Sequence, residues 1–228
     1  MRSARHGNPL VVAVDTSDSD RAEALAQALG RRVGLLKVGL ELFTSAGPEV
    51  VGRIRRHAPV FLDLKLHDIP TTVGRAARNA GRLGPDLLTV HSLGGPNMVE
   101  AAVHEASSGA KDAGFDPPAV VAVTVLSSLG GESLASPASL AFEAISAGAA
   151  GVVVSGDDVE IVRDAIGDEP IVVVPGVRPP GAGSNDHVRV VTPREAIIAG
   201  ADYIVVGRPI TEAPDPAAAA RAVAADLP

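Results

Sequence analysis

The residue types best suited to chemistry lie in the stretch Phe61-Leu-Asp-Leu-Lys-Leu-His-Asp-Ile-Pro-Thr-Thr72. If this stretch begins as a β-strand, its side chains alternate, so that Phe61, Asp63 and Lys65 share one face and the leucines share the other. A second carboxylate, Asp68, follows just beyond the expected strand end. Charged side chains at the end of a buried strand destabilise the folded protein unless they are paired. The pattern therefore predicts either a functional site or a structural ion pair at a strand end.

The use of lysine points in the same direction. The chain has 20 basic residues, of which 17 are Arg and only three are Lys: Lys37, Lys65 and Lys111. An Arg side chain does not give up its proton at neutral pH, whereas a Lys side chain can. Because Lys37 and Lys65 lie in apolar, strand-like runs, their chemistry as well as their charge is expected to matter.

The end of the stretch predicts a change from strand to helix. Pro70 cannot donate a ladder hydrogen bond and disfavours a helical conformation at Ile69, so the strand should turn into a loop here. Thr71 or Thr72 is then expected to cap a helix. That helix is indicated by an apolar stripe of helical period: Val73, Ala76, Ala77, Ala80 and Leu83.

Short apolar runs alternate with helical stretches along the whole chain, which predicts an α/β protein with a parallel sheet. Eight such units in 228 residues favour a single-domain (β/α)8 TIM barrel over the alternative, a doubly wound open sheet. Residues 1–228 are expected to form that one domain, with residues 1–9 as a short polar lead. The predicted strands are Leu10–Asp15, Val33–Gly39, Val60–Lys65, Leu87–His91, Val120–Val125, Gly151–Val154, Ile171–Val174 and Tyr203–Val206.

Composition excludes several classes of function. With no Cys, the chain has no disulfide, thiolate catalyst or sulfur-ligated metal, and its histidines lack metal-binding spacing. A net charge of −7, no Trp and one Tyr argue against nucleic-acid binding. No signal peptide or membrane span is evident, which predicts a cytoplasmic protein with no membrane partner.

Polar residues recur where the predicted strands end, and in barrels the chemistry lies at the carboxyl ends of the strands. One such residue would mean little, but a set on one rim indicates a site. The set includes Asp15, Lys37, Asp63, Lys65, Asp68, His91, Ser127, Arg178 and Arg208.

Two of these strand ends suit a phosphate. Pro175-Gly-Val-Arg178 and Gly207-Arg208 follow the seventh and eighth strands, where barrels commonly bind phosphate, and glycine lets backbone N–H groups approach the anion. The alternative for each is a turn glycine beside a surface Arg. His187, in the intervening loop, could donate to the phosphate or be a solvated histidine. Within Asp15-Thr-Ser-Asp18, Ser17 or Asp18 could cap the first helix, while Asp15 could accept from a sugar hydroxyl.

The stretch Asp63-Leu-Lys-Leu-His-Asp-Ile-Pro-Thr-Thr72 closely resembles the orotidine 5'-monophosphate decarboxylase family, whose mark is Asp-x-Lys-x-x-Asp followed by Ile-Pro-x-Thr. Related barrel enzymes that act on sugar phosphates share the first part but usually continue with Ala-Gly. The likeness runs through nearly the whole chain, at Ala13–Asp15, Leu36–Gly39, Val90-His91, Val123–Ser127, Pro175–Arg178, Arg189–Pro193 and Val206–Pro209.

This resemblance implies roles for individual residues. Asp15 and Lys37 would bind the ribose, and Ser127 the pyrimidine. Lys65 would be the proton donor, flanked by Asp63 and by Asp68 of the partner subunit, which implies a homodimer with shared active sites. The further substrate-binding residues would be Thr72, Pro175, Arg178, Gly207, Arg208 and His187, the last of which stands where the family usually has Gln.

The function expected from this resemblance is cofactor-independent conversion of orotidine 5'-monophosphate, a small-molecule nucleotide, to uridine 5'-monophosphate, with no metal. Lys37, Asp63, Lys65 and Asp68 form the catalytic set. Two alternatives stay open at this point. One is a sugar-phosphate decarboxylase of the same barrel group, which Ile69-Pro70 disfavours. The other is a catalytically silent nucleotide-binding barrel, against which the intact charged set argues.

Overall fold

Eight parallel strands close into a barrel in the computed structural model, which describes residues 7–125, 136–178 and 191–228. Each strand pairs with the next along the chain, and the last pairs with the first. The predicted (β/α)8 architecture is confirmed. The strands are β1 (Leu10–Ala13), β2 (Leu35–Gly39), β3 (Val60–Leu66), β4 (Leu87–His91), β5 (Ala119–Val123), β6 (Gly151–Val153), β7 (Ile171–Val174) and β8 (Tyr203–Val206).

Helices follow the strands and cover the barrel. They are α1 (Ser19–Leu29), α2 (Leu40–Ala46), α3 (Glu49–Arg55), α4 (Pro70–Gly81), α5 (Pro96–Asp112), α6 (Pro137–Ser146), α7 (Val159–Ile166), α8 (Pro193–Ala199), α9 (Arg208–Thr211) and α10 (Pro216–Ala225). Short 3-10 turns lie at Ser92–Gly94 and Gly156–Asp158. In the part of the chain that the structure describes, no helix has the length and apolarity needed to cross a membrane.

The predicted strand bounds agree with the structure to within two residues. β1 was expected to reach Asp15 but ends at Ala13, although the Val14 N–H still donates to the Lys37 carbonyl at 3.0 Å. Asp15 therefore lies on the rim and not in the ladder. Of the polar lead predicted for residues 1–9, residues 1–6 lie outside the described residues. Asn8 is anchored, because its side chain donates to the Arg32 carbonyl at 2.9 Å.

Alternation along the strands divides the core into two layers. The inner layer fills the barrel with small and branched side chains plus two aromatic residues, Phe61 and Tyr203. The outer layer joins the strands to the helices; Leu62, Leu88 and Val90 belong to it. The barrel is therefore packed throughout and leaves its open space at one end.

The structure corrects the predicted cap of α4 and settles that of α1. Neither Thr71 nor Thr72 caps α4, because the helix already begins at Pro70, with Ile69 in extended conformation (φ −61°, ψ 152°) before it. Proline suits this first position because its fixed φ is helical and it lacks an N–H that would need a partner. For α1, Asp18 is the cap, and the backbone N–H groups of Arg21 and Asp20 lower the pKa of its carboxyl group.

An ion-pair network joins α1 to the end of α3, the second of the two helices that follow β2. Arg53 donates to Glu23 at 2.8 Å and to Asp20 at 2.7 Å, while Arg56 reaches Glu23 at 2.8 Å. These hydrogen bonds, first that of Arg56 and then that of Arg53, lower the pKa of Glu23 to about 2. The network ties together two helices that flank the first strands of the barrel.

Substitution of Glu23 should therefore change the acid dependence of stability. A carboxyl group whose pKa is lower in the folded state stabilises the fold above its ordinary value of 4.5, and that contribution disappears as pH falls towards 2. We expect Glu23→Gln to lower the melting temperature at pH 7. The difference in melting temperature between this variant and the wild type should disappear as the pH falls from 4.5 to 2. Thermal unfolding across this range measures it. Glu100→Gln on α5 is the control, and an equal loss in both variants would contradict the assignment.

Candidate active site at the carboxyl end of the barrel

A cavity of about 570 Å³ opens where the strands end. It is lined by residues in the last part of, or just after, every strand except β4. Eight of the predicted site residues line it: Asp15, Lys37, Asp63, Lys65, Pro175, Arg178, Gly207 and Arg208. Glu41 and Glu212 also line it and were not predicted from the sequence; the Ser17 hydroxyl holds Glu41 at 2.9 Å.

Four charged side chains form an alternating row across the floor of the cavity. Lys65 Nζ lies 2.8 Å from both oxygens of Asp63, and Lys37 Nζ lies 3.6 Å from Asp63 Oδ2 and 3.1 Å from Asp15 Oδ1. The side chains of Asp63 and Lys37 are only 11% and 13% exposed. Two carboxylates and two ammonium groups balance formally, so each buried charge has an opposite neighbour.

The end of β3 departs from regular strand geometry at the point where it presents Lys65. Its register against β4 shifts between Leu62 and Leu66, which pair with Leu88 and Val90. Lys65 has a φ of +50°, a left-handed conformation that is costly for a residue with a side chain. The predicted face is kept, because Phe61, Asp63 and Lys65 all line the cavity, but an irregular strand places the ammonium there.

Two residues that sequence reasoning did not select support this row. A Cβ atom at Gly39 would lie 2.9 Å from Lys37 Nζ and 3.2 Å from Asp15 Oδ1, so glycine leaves room for their ion pair. On β4, the Thr89 hydroxyl lies 3.0 Å from Asp63 Oδ1 and 2.8 Å from the Lys65 backbone N. The only signal for Thr89 in the sequence was a polar residue between apolar residues of a predicted strand.

His91, predicted at the end of β4, lies beside this row and stacks on His67 with ring centroids 5.1 Å apart. Burial, followed by the nearby charges of His67 and Lys65, lowers the pKa of His91. Its Nδ1 accepts from the Leu93 N–H at 3.4 Å, which leaves Nε2 as the protonated nitrogen of the neutral ring.

The other side of the cavity carries two arginines. Arg178 follows β7 and is buried, and Arg208 begins α9 directly after β8. Gly176 has a φ of +72°, so the turn between Pro175 and Arg178 needs a glycine. Two guanidinium groups with glycines beside them form a site suited to a phosphate.

Two predicted site residues of the described chain, Asp68 and Thr72, lie outside this cavity. Asp68 is exposed beyond β3 and accepts from the Ile69 N–H at 2.7 Å, and Thr72 is exposed on the first turn of α4. Neither lines the cavity of its own chain. Ser127 and His187 lie outside the described residues.

The fold and the site together define a class: a TIM-barrel enzyme with a lysine–carboxylate row at one side of its cavity and arginines at the other. The chain belongs to the orotidine 5'-phosphate decarboxylase / HUMPS family, whose model matches residues 8–223. It is 52% identical to the orotidine 5'-phosphate decarboxylase of Anaeromyxobacter dehalogenans over 96% of this chain and 97% of that protein.

More distant relatives agree. The orotidine 5'-phosphate decarboxylase of Moorella thermoacetica is 45% identical over 96% of this chain and 91% of its own. The crystal structure of the Lactobacillus acidophilus enzyme of the same name superimposes with a TM-score of 0.80 at 36% identity, covering 95% of this chain and 97% of that one. The likeness spans the whole barrel and therefore the whole described site.

The position of Arg208 predicts its effect on binding. We expect Arg208→Gln to weaken binding of a nucleoside 5'-monophosphate by about 10- to 100-fold, as expected for one charged hydrogen-bonding group. Affinity for the nucleoside without phosphate should hardly change. Calorimetric titration of both ligands measures this, with Arg221→Gln as the control, because Arg221 is exposed on α10. Equal weakening for both ligands would mean that Arg208 does not face the phosphate.

Proposed function

We propose that this protein decarboxylates orotidine 5'-monophosphate to uridine 5'-monophosphate, a carboxy-lyase reaction of pyrimidine biosynthesis. The observation that carries the proposal is the Lys65 ammonium, held 2.8 Å from both Asp63 oxygens in a cavity that also contains two arginines. The names of the relatives and the Ile69-Pro70 sequence favour this substrate over a sugar phosphate. A location in the cytoplasm is part of the same proposal.

The difficulty of the reaction lies in the charge that it creates. When the bond between C6 of the pyrimidine and its carboxylate breaks, the electron pair stays on C6 and carbon dioxide leaves. The carbanion has little resonance help, so the site must stabilise it. In our proposal the Lys65 ammonium lies beside C6, stabilises the developing negative charge and then transfers a proton to C6.

Asp63 has two tasks in this mechanism. It holds the Lys65 ammonium in one orientation, because both of its oxygens accept from Nζ. It would also lie near the carboxylate of the bound substrate, and the repulsion between the two anions is relieved when carbon dioxide departs. Interactions that are more favourable in the transition state than in the ground state are those that raise kcat.

The rest of the cavity would hold the nucleotide in place. Asp15 and Lys37, joined at 3.1 Å, can accept from and donate to the ribose hydroxyl groups. The phosphate would lie against Arg178, Gly207 and Arg208, with Pro175 at the same rim. Ser127 on the pyrimidine and His187 on the phosphate remain predictions. Binding of the phosphate group would thus hold the pyrimidine, at the opposite end of the nucleotide, in position for the reaction.

We further propose that the protein is a homodimer in which Asp68 and Thr72 complete the site of the partner. Both are exposed and lie away from the cavity of their own chain. Large apolar side chains after β2, β3 and β4 are exposed on the same rim: Leu40 by 52%, Ile69 by 65% and Leu93 by 50%. A second copy covering this rim would bury them and bring its Asp68 towards Lys65.

The proton-donor role of Lys65 predicts the behaviour of two substitutions. Lys65→Ala should reduce turnover by several orders of magnitude without unfolding the protein, because the loss falls on the transition state. Lys65→Arg should fail as well, since guanidinium is too weak an acid and too large. The decrease in orotate absorbance measures turnover, and Lys111→Ala, exposed on α5, is the control. Turnover of Lys65→Arg within about tenfold of wild type would refute the role.

Shared sites predict that inactive subunits complement each other. Lys65→Ala and Asp68→Ala should each be nearly inactive, but their mixed dimer has one site with both lesions and one intact site. Random exchange makes about half of the dimers mixed, so activity should return to about a quarter of wild type. Native mass spectrometry of tagged subunits confirms the exchange.

A mixture of Lys65→Ala with Asp63→Ala is the matched control. Because Asp63 binds Lys65 within one chain, each site of that mixed dimer carries one lesion and should stay inactive. Mixed Lys65→Ala/Asp68→Ala dimers that form without regaining activity would place Asp68 in the site of its own chain.

A further inference from the structure

The side chain of Thr89 lies where the charged row meets the backbone that presents it. Thr89 is the third residue of β4, is fully buried, and faces the end of β3. Its hydroxyl oxygen lies 3.0 Å from Asp63 Oδ1 and 2.8 Å from the backbone nitrogen of Lys65. One small side chain therefore contacts both the carboxylate and the main chain of the lysine.

The directions of both hydrogen bonds follow from the groups involved. A backbone N–H can only donate, so the Thr89 oxygen accepts from Lys65. An ionised carboxylate can only accept, so the single hydroxyl proton of Thr89 points to Asp63 Oδ1. One partner can only donate and the other can only accept, so together they fix the orientation of the hydroxyl group. The hydroxyl group in turn fixes the distance between the Lys65 backbone and the Asp63 carboxylate.

Lys65 needs such a partner because its backbone is strained. Its φ of +50° is unfavourable for a residue with a Cβ atom, and the register between β3 and β4 is broken between Leu62 and Leu66. Its N–H donates to the hydroxyl group of Thr89, a side chain of β4. Release of this bond would let the backbone relax, and the ammonium would then move relative to Asp63.

Packing alone does not explain a hydroxyl group at this position. Leu87, two residues earlier on β4, belongs to the apolar filling of the barrel, and Val would match the shape of Thr89. A buried hydroxyl is unfavourable unless it is hydrogen-bonded, and both partners of this one belong to the proposed catalytic pair.

We propose that Thr89 is a positioning residue for the decarboxylation: it holds the Asp63 carboxylate and the strained backbone of Lys65 in the geometry that places the ammonium at C6. The inference rests on the proposed function of Lys65. It predicts an effect on kcat more than on KM, because the arginines and the Asp15–Lys37 pair that would bind the nucleotide are untouched.

The first test is kinetic. Thr89→Val keeps the shape and removes the hydroxyl, and we expect kcat to fall by about 10- to 100-fold, as for one hydrogen bond to a charged group, with KM changed less than about threefold. Thr89→Ser, which keeps the hydroxyl, should recover most of kcat. Thr124→Val is the control, because Thr124 is equally buried but donates its hydroxyl proton to a backbone carbonyl, that of Val153 at 3.1 Å, and not to a carboxylate.

The second test does not depend on activity. The chain has three lysines, so labelling with 15N-lysine gives three backbone amide signals. The Lys37→Arg and Lys111→Arg variants each remove one signal, which assigns the remaining signal to Lys65. We expect hydrogen exchange of the Lys65 amide to be faster in Thr89→Val than in wild type, and unchanged in Thr89→Ser and Thr124→Val. If Thr89→Val does not fold, Thr89→Cys replaces it, since a thiol is a weak hydrogen-bonding group.

The outcomes separate this proposal from the one on which it rests. The proposal is supported if Thr89→Val loses both kcat and the protection of the Lys65 amide, and if Thr89→Ser recovers both. An unchanged kcat, an equally protected Lys65 amide, or the same loss of kcat in Thr124→Val overturns it. An active Lys65→Ala protein would refute the proton-donor role, whereas the exchange measurement would still report whether Thr89 holds the Lys65 backbone.

Discussion

The site depends on one carboxylate, Asp63, held at the end of a buried strand between two ammonium groups. Taking an anion out of water is unfavourable unless cations and hydrogen-bond donors replace the water. Lys65, Lys37 and the Thr89 hydroxyl supply that replacement. The contacts that stabilise the buried Asp63 carboxylate also hold the two ammonium groups in place. The stability of the fold and the geometry of the site therefore depend on the same interactions.

The barrel explains how residues far apart in the chain reach this carboxylate. Parallel strands in closed order bring all their carboxyl ends to one rim, and the packed interior prevents that rim from collapsing. β1, β2 and β3 deliver the charged row, while the turns after β7 and β8 deliver the arginines. The irregular end of β3 is the exception to this regular scaffold, and it lies where Lys65 enters the cavity.

Much of this arrangement could be predicted from the sequence, because periodicity reports which residues share a face and strand ends report which residues share a rim. Asp15, Lys37, Asp63, Lys65 and the two arginines follow from those rules. The left-handed backbone of Lys65 and the contact from Thr89 could not be predicted, since both arise from the register between β3 and β4. The cap of α4 was wrong because Pro70 can itself begin a helix. Asp68 and Thr72 are exposed and do not line the cavity of their own chain, so the rim pattern alone did not place them.

The near absence of aromatic residues has a practical consequence. The chain has no tryptophan, and its one tyrosine, Tyr203, is enclosed in the barrel on β8. The protein therefore contributes little near-ultraviolet absorbance of its own, while a pyrimidine nucleotide absorbs strongly in that range. Enzyme can be used in excess over the nucleotide without obscuring the optical signal. A single round of the reaction can then be followed by absorbance alone, in the unlabelled and unmodified protein.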